Sequence, residues 1–131
     1  MSSYNMLFLS KDEKRKGEDG LSKWWFDRTL GDKVSTDSPS DYGTALSYLM
    51  SKSYDFILID KFKEPYNVYK SLKEYQQNAT FIVGHERGMV VKIDNITDEN
   101  LIKLIEEEVP EFDMVYELFK LTEYLRDIID K

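Results

Sequence analysis

The feature that most constrains the fold is an uninterrupted apolar run, Phe56–Ile59, within the segment Tyr54–Asp60. A strand with one face in water alternates apolar and polar residues, so a continuous run indicates a strand that is covered on both faces. Apolar residues recur at helical spacing over 42–49 before this run and over 68–75 after it, as they do in helices that pack on a sheet. The sequence therefore predicts a layered α/β domain with a parallel centre.

The segments before this run continue the alternation of strands and helices. Met6–Leu9 is predicted to be a short buried strand, and Leu21–Leu30 is predicted to be a helix. Between them, residues 10–20 are almost all charged or glycine, which is typical of a loop. Ser35–Ser40 is interpreted as a polar connector in which Ser38 caps the next helix.

A second constraint comes from Thr80–Val83 and Met89–Ile93, two strand-like segments with only a short turn between them. Parallel strands need a crossover of about a dozen residues or more, so these segments are predicted to form an antiparallel hairpin. Helices are predicted to follow over 97–109 and from about 111 to 129. The predicted fold is a single α/β domain over 1–131. It has a mixed sheet of four to five strands with a C-terminal antiparallel hairpin, helices on both faces and an extra C-terminal helix.

The composition removes most enzyme chemistries. The chain has no cysteine and a single histidine, His85, which excludes disulfides, cysteine nucleophiles and multi-histidine metal sites within one chain. The acidic pairs Asp12–Glu13 and Asp98–Glu99 lack a companion histidine or a regular ligand spacing. We therefore expect no catalytic, metal or cofactor site. The alternative is that His85, which lies at a charged turn, acts as an acid–base group.

The charge is acidic and unevenly distributed. The net charge is −7, and residues 94–131 carry four basic against twelve acidic side chains. Phosphate contacts need clustered Lys and Arg, so no direct binding of nucleic acid or of an anionic membrane is expected. The acidic third is interpreted either as a solvated helical face or as a surface that meets a basic protein partner.

Apolar runs of about four residues are too short for the ~20 that span a membrane, and a cytoplasmic location is expected. The chain has only two alanines and many Lys, Asn, Asp and Tyr residues. This usage is typical of an AT-rich genome such as that of a phage.

Two adjacent tryptophans and the last helix are candidate contact surfaces. Trp24 and Trp25 would point about 100° apart on a helix, so both cannot face the core. The last helix carries a wide apolar stripe that includes Phe119, and so wide a stripe is rarely exposed on a monomer. The helix is expected either to cover the domain's own sheet, in a monomer, or to pair with a second chain, in a homodimer. Trp24, Trp25, Tyr116 and Phe119 are the predicted partner-binding residues.

Residues 54–108 resemble the C-terminal part of the thioredoxin-like fold. Ile59–Pro65 is similar to the family's strand that ends in Asp before a turn and a helix, and Ala79–Val83 is similar to its Pro-Thr-Phe strand. The chain has no counterpart of the family's Trp-Cys-Gly-Pro-Cys motif, and Ala79 stands at the family's cis-proline position. The resemblance therefore implies a thioredoxin-like scaffold without redox activity.

The stretch Ser40–Asp60 also resembles the receiver domain of response regulators, with Asp60 as the phosphoacceptor. That family holds Mg²⁺ with an acidic pair after the first strand, where this chain has Ser10–Lys11 followed by Asp12–Glu13. The family's hydroxyl residue after the fourth strand is replaced by Gly84. The resemblance implies a degenerate signalling domain.

Three hypotheses about function follow. The first is a non-catalytic protein-interaction or regulatory module on a redox-dead thioredoxin-like scaffold. The second is a degenerate receiver-like domain that accepts a phosphoryl group on Asp60. The third is an acidic decoy that inhibits a nucleic-acid-binding protein.

Overall fold

The computed structural model describes residues 4–62, 65–85, 88–90 and 114–130. The α/β class predicted from the sequence is confirmed. The helix predicted over 97–109 lies outside the described residues. In chain order the elements are β1 (Tyr4–Ser10), α1 (Leu21–Leu30), β2 (Val34–Asp37), α2 (Tyr42–Ser51), β3 (Phe56–Phe62), α3 (Pro65–Lys73), β4 (Thr80–His85), β5 (Gly88–Val90) and α4 (Met114–Ile129).

The strands form one sheet in the order β2-β1-β3-β4-β5. Strands β1 to β4 are parallel, with Met6 beside Phe56 and Phe56 beside Thr80. The short strand β5 lies antiparallel to β4, and residues 91–93 of the predicted hairpin lie outside the described part of the chain. This strand order belongs to a common class of doubly wound sheets, in which ligands bind in the crevice at the carboxyl ends of β1 and β3.

Each face of the sheet carries its own core. Side chains alternate along β1, so Met6 and Phe8 face one layer while Leu7 and Leu9 face the other. The first layer is closed by α1 and α4, and the second by α2 and α3. The continuous apolar run Phe56–Ile59 is divided between the two layers, which is the two-sided burial that the sequence predicts.

Helix α4 packs on the domain's own sheet. Leu121 and Leu125 are fully buried in the same core as Phe26 and Leu30 of α1. Hydrogen bonds join the two helices: Trp25 Nε1 donates to Thr122 Oγ1 at 2.8 Å, and Arg126 donates to the backbone oxygen of Thr29 at 3.0 Å. Of the two expectations for this helix, the structure therefore shows coverage of its own sheet for residues 121–129.

Strand β2 corrects the prediction of a polar connector at Ser35–Ser40. Its burial alternates: Val34 and Thr36 are buried, and Ser35 and Asp37 are half-buried. One apolar residue in four gives no detectable period, so only pairing with β1 reveals the strand. The predicted cap at Ser38 is also wrong, because the Asp41 carboxylate accepts the Thr44 amide at 2.7 Å and starts α2 one turn later.

Candidate functional site

The crevice at the carboxyl ends of β1 and β3 is filled by the protein itself. Ser10 ends β1 and is the register neighbour of Asp60 in β3. A register shift in the β3–β4 pairing falls between Ile59 and Phe62, beside Asp60. Such irregularities in a sheet often redirect a functional side chain. Into this position the loop after β1 inserts the side chain of Arg15, which is 1% exposed.

Ser10, Arg15 and Asp60 form a buried polar cluster, called here the crevice cluster. One terminal nitrogen of the Arg15 guanidinium donates to both carboxylate oxygens of Asp60, at 3.0 and 3.1 Å. Ser10 Oγ donates to Asp60 Oδ2 at 2.8 Å. Asp60 is 1% exposed and Ser10 is 5% exposed. A buried carboxylate is tolerated because it is paired and hydrogen-bonded in this way.

The loop reaches back into the crevice through a chain of turns. Ser10 Oγ accepts the Asp12 amide at 3.0 Å, and Asp12 Oδ1 accepts the Lys14 amide at 2.9 Å. The amides of Arg15 and Lys16 both donate to the backbone oxygen of Asp12 at 3.0 Å. Short side-chain-to-backbone bonds of this kind are typical of Asp and Ser in turns. They reverse the chain so that Arg15 points towards β3.

Glycine packing keeps the loop in this course. A β-carbon at Gly20 would lie 2.3 Å from the backbone oxygen of Arg15, so only glycine fits between the loop and the start of α1. Gly17 has a φ of 89°, a backbone conformation that other residues rarely adopt. The amide of Leu21 then donates to the backbone oxygen of Lys14. The loop and the first turn of α1 are therefore one packed unit.

The chemistry of the crevice cluster is that of a closed site. Both oxygens of Asp60 accept hydrogen bonds from a cation that belongs to the protein. Asp12 is used in the turn, and the 83% exposed Glu13 pairs with Lys16. No group of three or more side chains suited to a metal ion occurs within the described ranges. In this arrangement the cluster offers neither a metal site nor a carboxylate open to a phosphoryl donor.

A second candidate site is the outward face of α1. Leu21, Trp24 and Arg28 share this face, because positions i, i+3 and i+7 of a helix point in similar directions. Leu21 is 40% exposed and Trp24 is 51% exposed. The Arg28 guanidinium carbon lies 4.6 Å from the centroid of the Trp24 ring, a cation–π contact. We call these three residues the α1 face.

Charges beside the α1 face are paired among themselves. Lys23 Nζ lies 3.2 Å from Asp27 and 3.5 Å from Glu18, and it donates to the backbone oxygen of Thr36 at 2.7 Å. Desolvation lowers the pKa of Lys23, but the hydrogen bond and charge of Asp27 and the charge of Glu18 outweigh it, so the pKa is raised. Arg28 has no ion pair with any residue of the described ranges.

The structure separates the residues that the sequence singles out. Asp60 is buried in the crevice cluster, Trp24 is exposed, and the indole of Trp25 is hydrogen-bonded to α4. Tyr116 and Phe119 fall within α4, but their side chains lie outside the described part of the structure. The side chain of His85 and most of the acidic segment 94–131 also lie outside it.

Sequence reasoning missed Arg15, the residue that closes the crevice. It lies between Lys14 and Lys16 in a run of charges, and nothing in that run distinguishes a buried cation from a solvated one. Its partner is 45 positions away along the chain. A signal would have been the register of β1 against β3, which sets Ser10 beside Asp60.

Comparisons with known proteins leave the geometry as the basis for function. No protein-family model, no curated protein and no solved structure matches the chain. Among the described helices, none is sufficiently long and apolar to cross a membrane.

Proposed function

We propose that this chain is a non-catalytic protein-interaction module on a doubly wound α/β scaffold. The observation that carries the proposal is the crevice cluster. Doubly wound sheets bind their ligands at the carboxyl ends of β1 and β3, and here that position holds Arg15 and Asp60, each 1% exposed. A scaffold closed at its usual ligand site is left with its helix faces for recognition. Trp24 and Arg28 of the α1 face are two of the residue types that are enriched in binding hot spots.

The scaffold itself is part of the proposal. The strand order, with β1 to β4 parallel, is also that of flavodoxin and of receiver domains, so it supports a receiver-like scaffold. The antiparallel pairing of β5 with β4 counts against that scaffold. The resemblance to the thioredoxin-like family stays a prediction. The basic partner expected for the acidic third of the chain also stays a prediction.

A second candidate function is a receiver-like switch that is phosphorylated on Asp60. The position of Asp60 beside the end of β1 favours it, since a phosphoacceptor needs cation ligands close by. The burial of the carboxylate against Arg15 favours the first function instead. The two functions therefore differ in whether Asp60 can be reached from solvent in the native protein.

Phosphorylation decides between them. The full chain is incubated with acetyl phosphate and Mg²⁺, and intact-protein mass spectrometry counts added phosphoryl groups. We expect none on the wild type. A phosphoryl group that appears on the wild type and is lost in Asp60→Asn would overturn the proposal and establish the receiver-like switch.

Metal access gives a second readout that does not depend on the phosphoryl donor. Mn²⁺ broadens backbone NMR signals close to its binding site. With the crevice closed, the amide signals of Ser10 and Asp60 should broaden no more than those of Ser47, an exposed residue of α2. Selective broadening at Ser10 and Asp60 would show that the crevice binds a cation and would count against a closed site.

A further inference from the structure

We infer that the α1 face binds a short acidic and apolar protein segment. This inference rests on the proposed function and names the class of partner. The contact would place an apolar side chain of the segment against Trp24 and Leu21 and a carboxylate against the guanidinium of Arg28. Three properties of the face support this contact: its exposure, its charge and its size.

The α1 face is exposed although the helix packs on the sheet. The opposite side of α1 is fully used, since Ser22, Phe26 and Leu30 are buried against the sheet. Trp24 nevertheless remains 51% exposed, and Leu21 beside it is 40% exposed. A tryptophan with an arginine stacked on its ring combines two residue types that are enriched at interfaces.

Charge selects an acidic occupant. Lys23 contacts two carboxylates, Asp27 and Glu18, so its charge is fully used by these neighbours. Arg28 contacts the Trp24 ring, and within the described ranges it forms no ion pair. Arginine forms its strongest hydrogen bonds with carboxylates, often through two parallel N–H donors. Glu18, Lys23, Asp27 and Arg28 together carry no net charge, but among Leu21, Trp24 and Arg28 the one charge is the positive charge of Arg28, which is the group that a carboxylate would meet.

Size selects a short segment over a second copy of the chain. A large aromatic side chain buries at most about 250 Å², so Trp24 at 51% exposure offers on the order of 100 Å². Stable dimers bury about 800 Å² on each partner. Leu21 and Arg28 add only part of the difference, so the α1 face by itself is smaller than a stable dimer interface. An extended or helical peptide with a few anchoring side chains matches the area that the face provides.

The two indole groups allow a direct test on the full-length, ¹⁵N-labelled chain. Trp24 and Trp25 each give one indole N–H signal, and Trp24→Phe assigns them. The indole of Trp25 donates to Thr122 inside the α1–α4 contact, so it serves as an internal reference. The probe is a short synthetic peptide in which leucines alternate with glutamates, and its control replaces the glutamates by lysines. A salt concentration near 0.1 M limits long-range repulsion from the acidic chain, because the Debye length is then about 10 Å.

We expect the acidic peptide to shift the Trp24 signal in a saturable way and to leave the Trp25 signal in place. Arg28→Gln should raise the dissociation constant about tenfold, which is the usual loss of affinity for one charge-assisted hydrogen bond. Arg28→Lys should give an intermediate loss, since the charge remains and the planar donor fork is gone. Met50→Ala is the matched control, because Met50 is a 72% exposed apolar residue on α2, and it should leave binding unchanged.

Three results would overturn the inference. The lysine peptide could bind as well as the acidic one, or neither peptide could shift the Trp24 signal. The Trp24 signal could also shift with protein concentration alone, which would identify a second copy as the occupant. None of these results shows whether the crevice is open or closed, so the phosphorylation and Mn²⁺ experiments test the proposed function separately.

Discussion

The buried ion pair between Arg15 and Asp60 predicts a strong, coupled loss of stability when either charge is removed. The two side chains are each 1% exposed, and their nearest atoms are 3.0 Å apart. Arg15→Met keeps most of the length of the side chain and removes its charge, leaving Asp60 as a buried anion. Asp60→Asn keeps the shape and leaves Arg15 as a buried cation. Removing one partner of a buried pair costs about 3–5 kcal/mol.

The double variant should cost much less than the sum of the two single variants. With both charges gone, no uncompensated ion remains inside the protein, and Ser10 Oγ still accepts the Asp12 amide. Replacing a whole buried pair by neutral groups is often close to neutral in stability. We therefore expect a coupling free energy of at least about 2 kcal/mol, within the range measured for residues in contact.

Urea unfolding followed by tryptophan fluorescence measures these free energies. With a slope of about 2 kcal/mol per molar urea, each single variant should lower the midpoint by about 2 M. The slope itself should not change, because the amount of surface exposed on unfolding stays the same. Far-ultraviolet circular dichroism checks that each variant is folded before the titration.

An exposed ion pair in the same loop is the control. Lys16 Nζ lies 3.0 Å from Glu13, but the two side chains are 28% and 83% exposed. Exposed pairs contribute about 0–1 kcal/mol, so Lys16→Ala should shift the midpoint little. The buried ion pair would contribute no special stability if Arg15→Met costs no more than Lys16→Ala, or if the effects of Arg15→Met and Asp60→Asn add in the double variant.

Two further predictions concern hydrogen bonds of single side chains. Burial, followed by the hydrogen bond to Asp37, raises the pKa of Tyr54 above its usual value of 10.0, and the hydroxyl lies 2.7 Å from that carboxylate. Tyr54→Phe should cost about 1.5 kcal/mol at pH 7. The difference in free energy of unfolding between the wild type and Tyr54→Phe is fully present below pH 10 and should shrink as the pH rises further. Urea titrations that give the same difference at pH 8 and at pH 11 would contradict the hydrogen bond between Tyr54 and Asp37. Gln76 donates to the backbone oxygens of Leu49 and Lys52 at 2.9 and 2.8 Å and accepts the Tyr54 amide at 3.0 Å. Gln76→Ala should lower the free energy of unfolding by about 1–2 kcal/mol in the same assay. Gln76→Glu should lower it at least as much, because it loses both donors and places a negative charge at a helix C-terminus. If Gln76→Glu leaves the free energy of unfolding unchanged, the amide donors contribute nothing.

The parts of the fold that could be predicted are those that local patterns determine. The run Phe56–Ile59 indicates a strand that is covered on both faces, because no polar residue interrupts the run. Helix α2 follows from apolar residues at helical spacing, and Ala45 and Leu49 are indeed its buried residues. In these elements the burial pattern is set within about ten residues of sequence, which is the range over which periodicity can be detected.

The crevice cluster could not be predicted because its partners are far apart in sequence. Arg15 and Asp60 meet only after β1 and β3 have paired, 45 positions apart. The same holds for Trp25 and Thr122, whose hydrogen bond spans 97 positions. Helical geometry predicted that Trp24 and Trp25 point in different directions, but the packing of α4 against α1 decides which of the two is left exposed.

The crevice cluster and the α1 face are parts of one structural unit. Gly20 packs against the backbone oxygen of Arg15, and the Trp24 amide donates to the backbone oxygen of Gly20. The position of the exposed indole therefore depends on the course of the loop, which the ion pair between Arg15 and Asp60 holds in place. In a sheet whose crevice binds a ligand, this loop has to remain accessible to that ligand. Closing the crevice removes that requirement, and the loop can then support α1 rigidly, as the proposed contact through the α1 face requires.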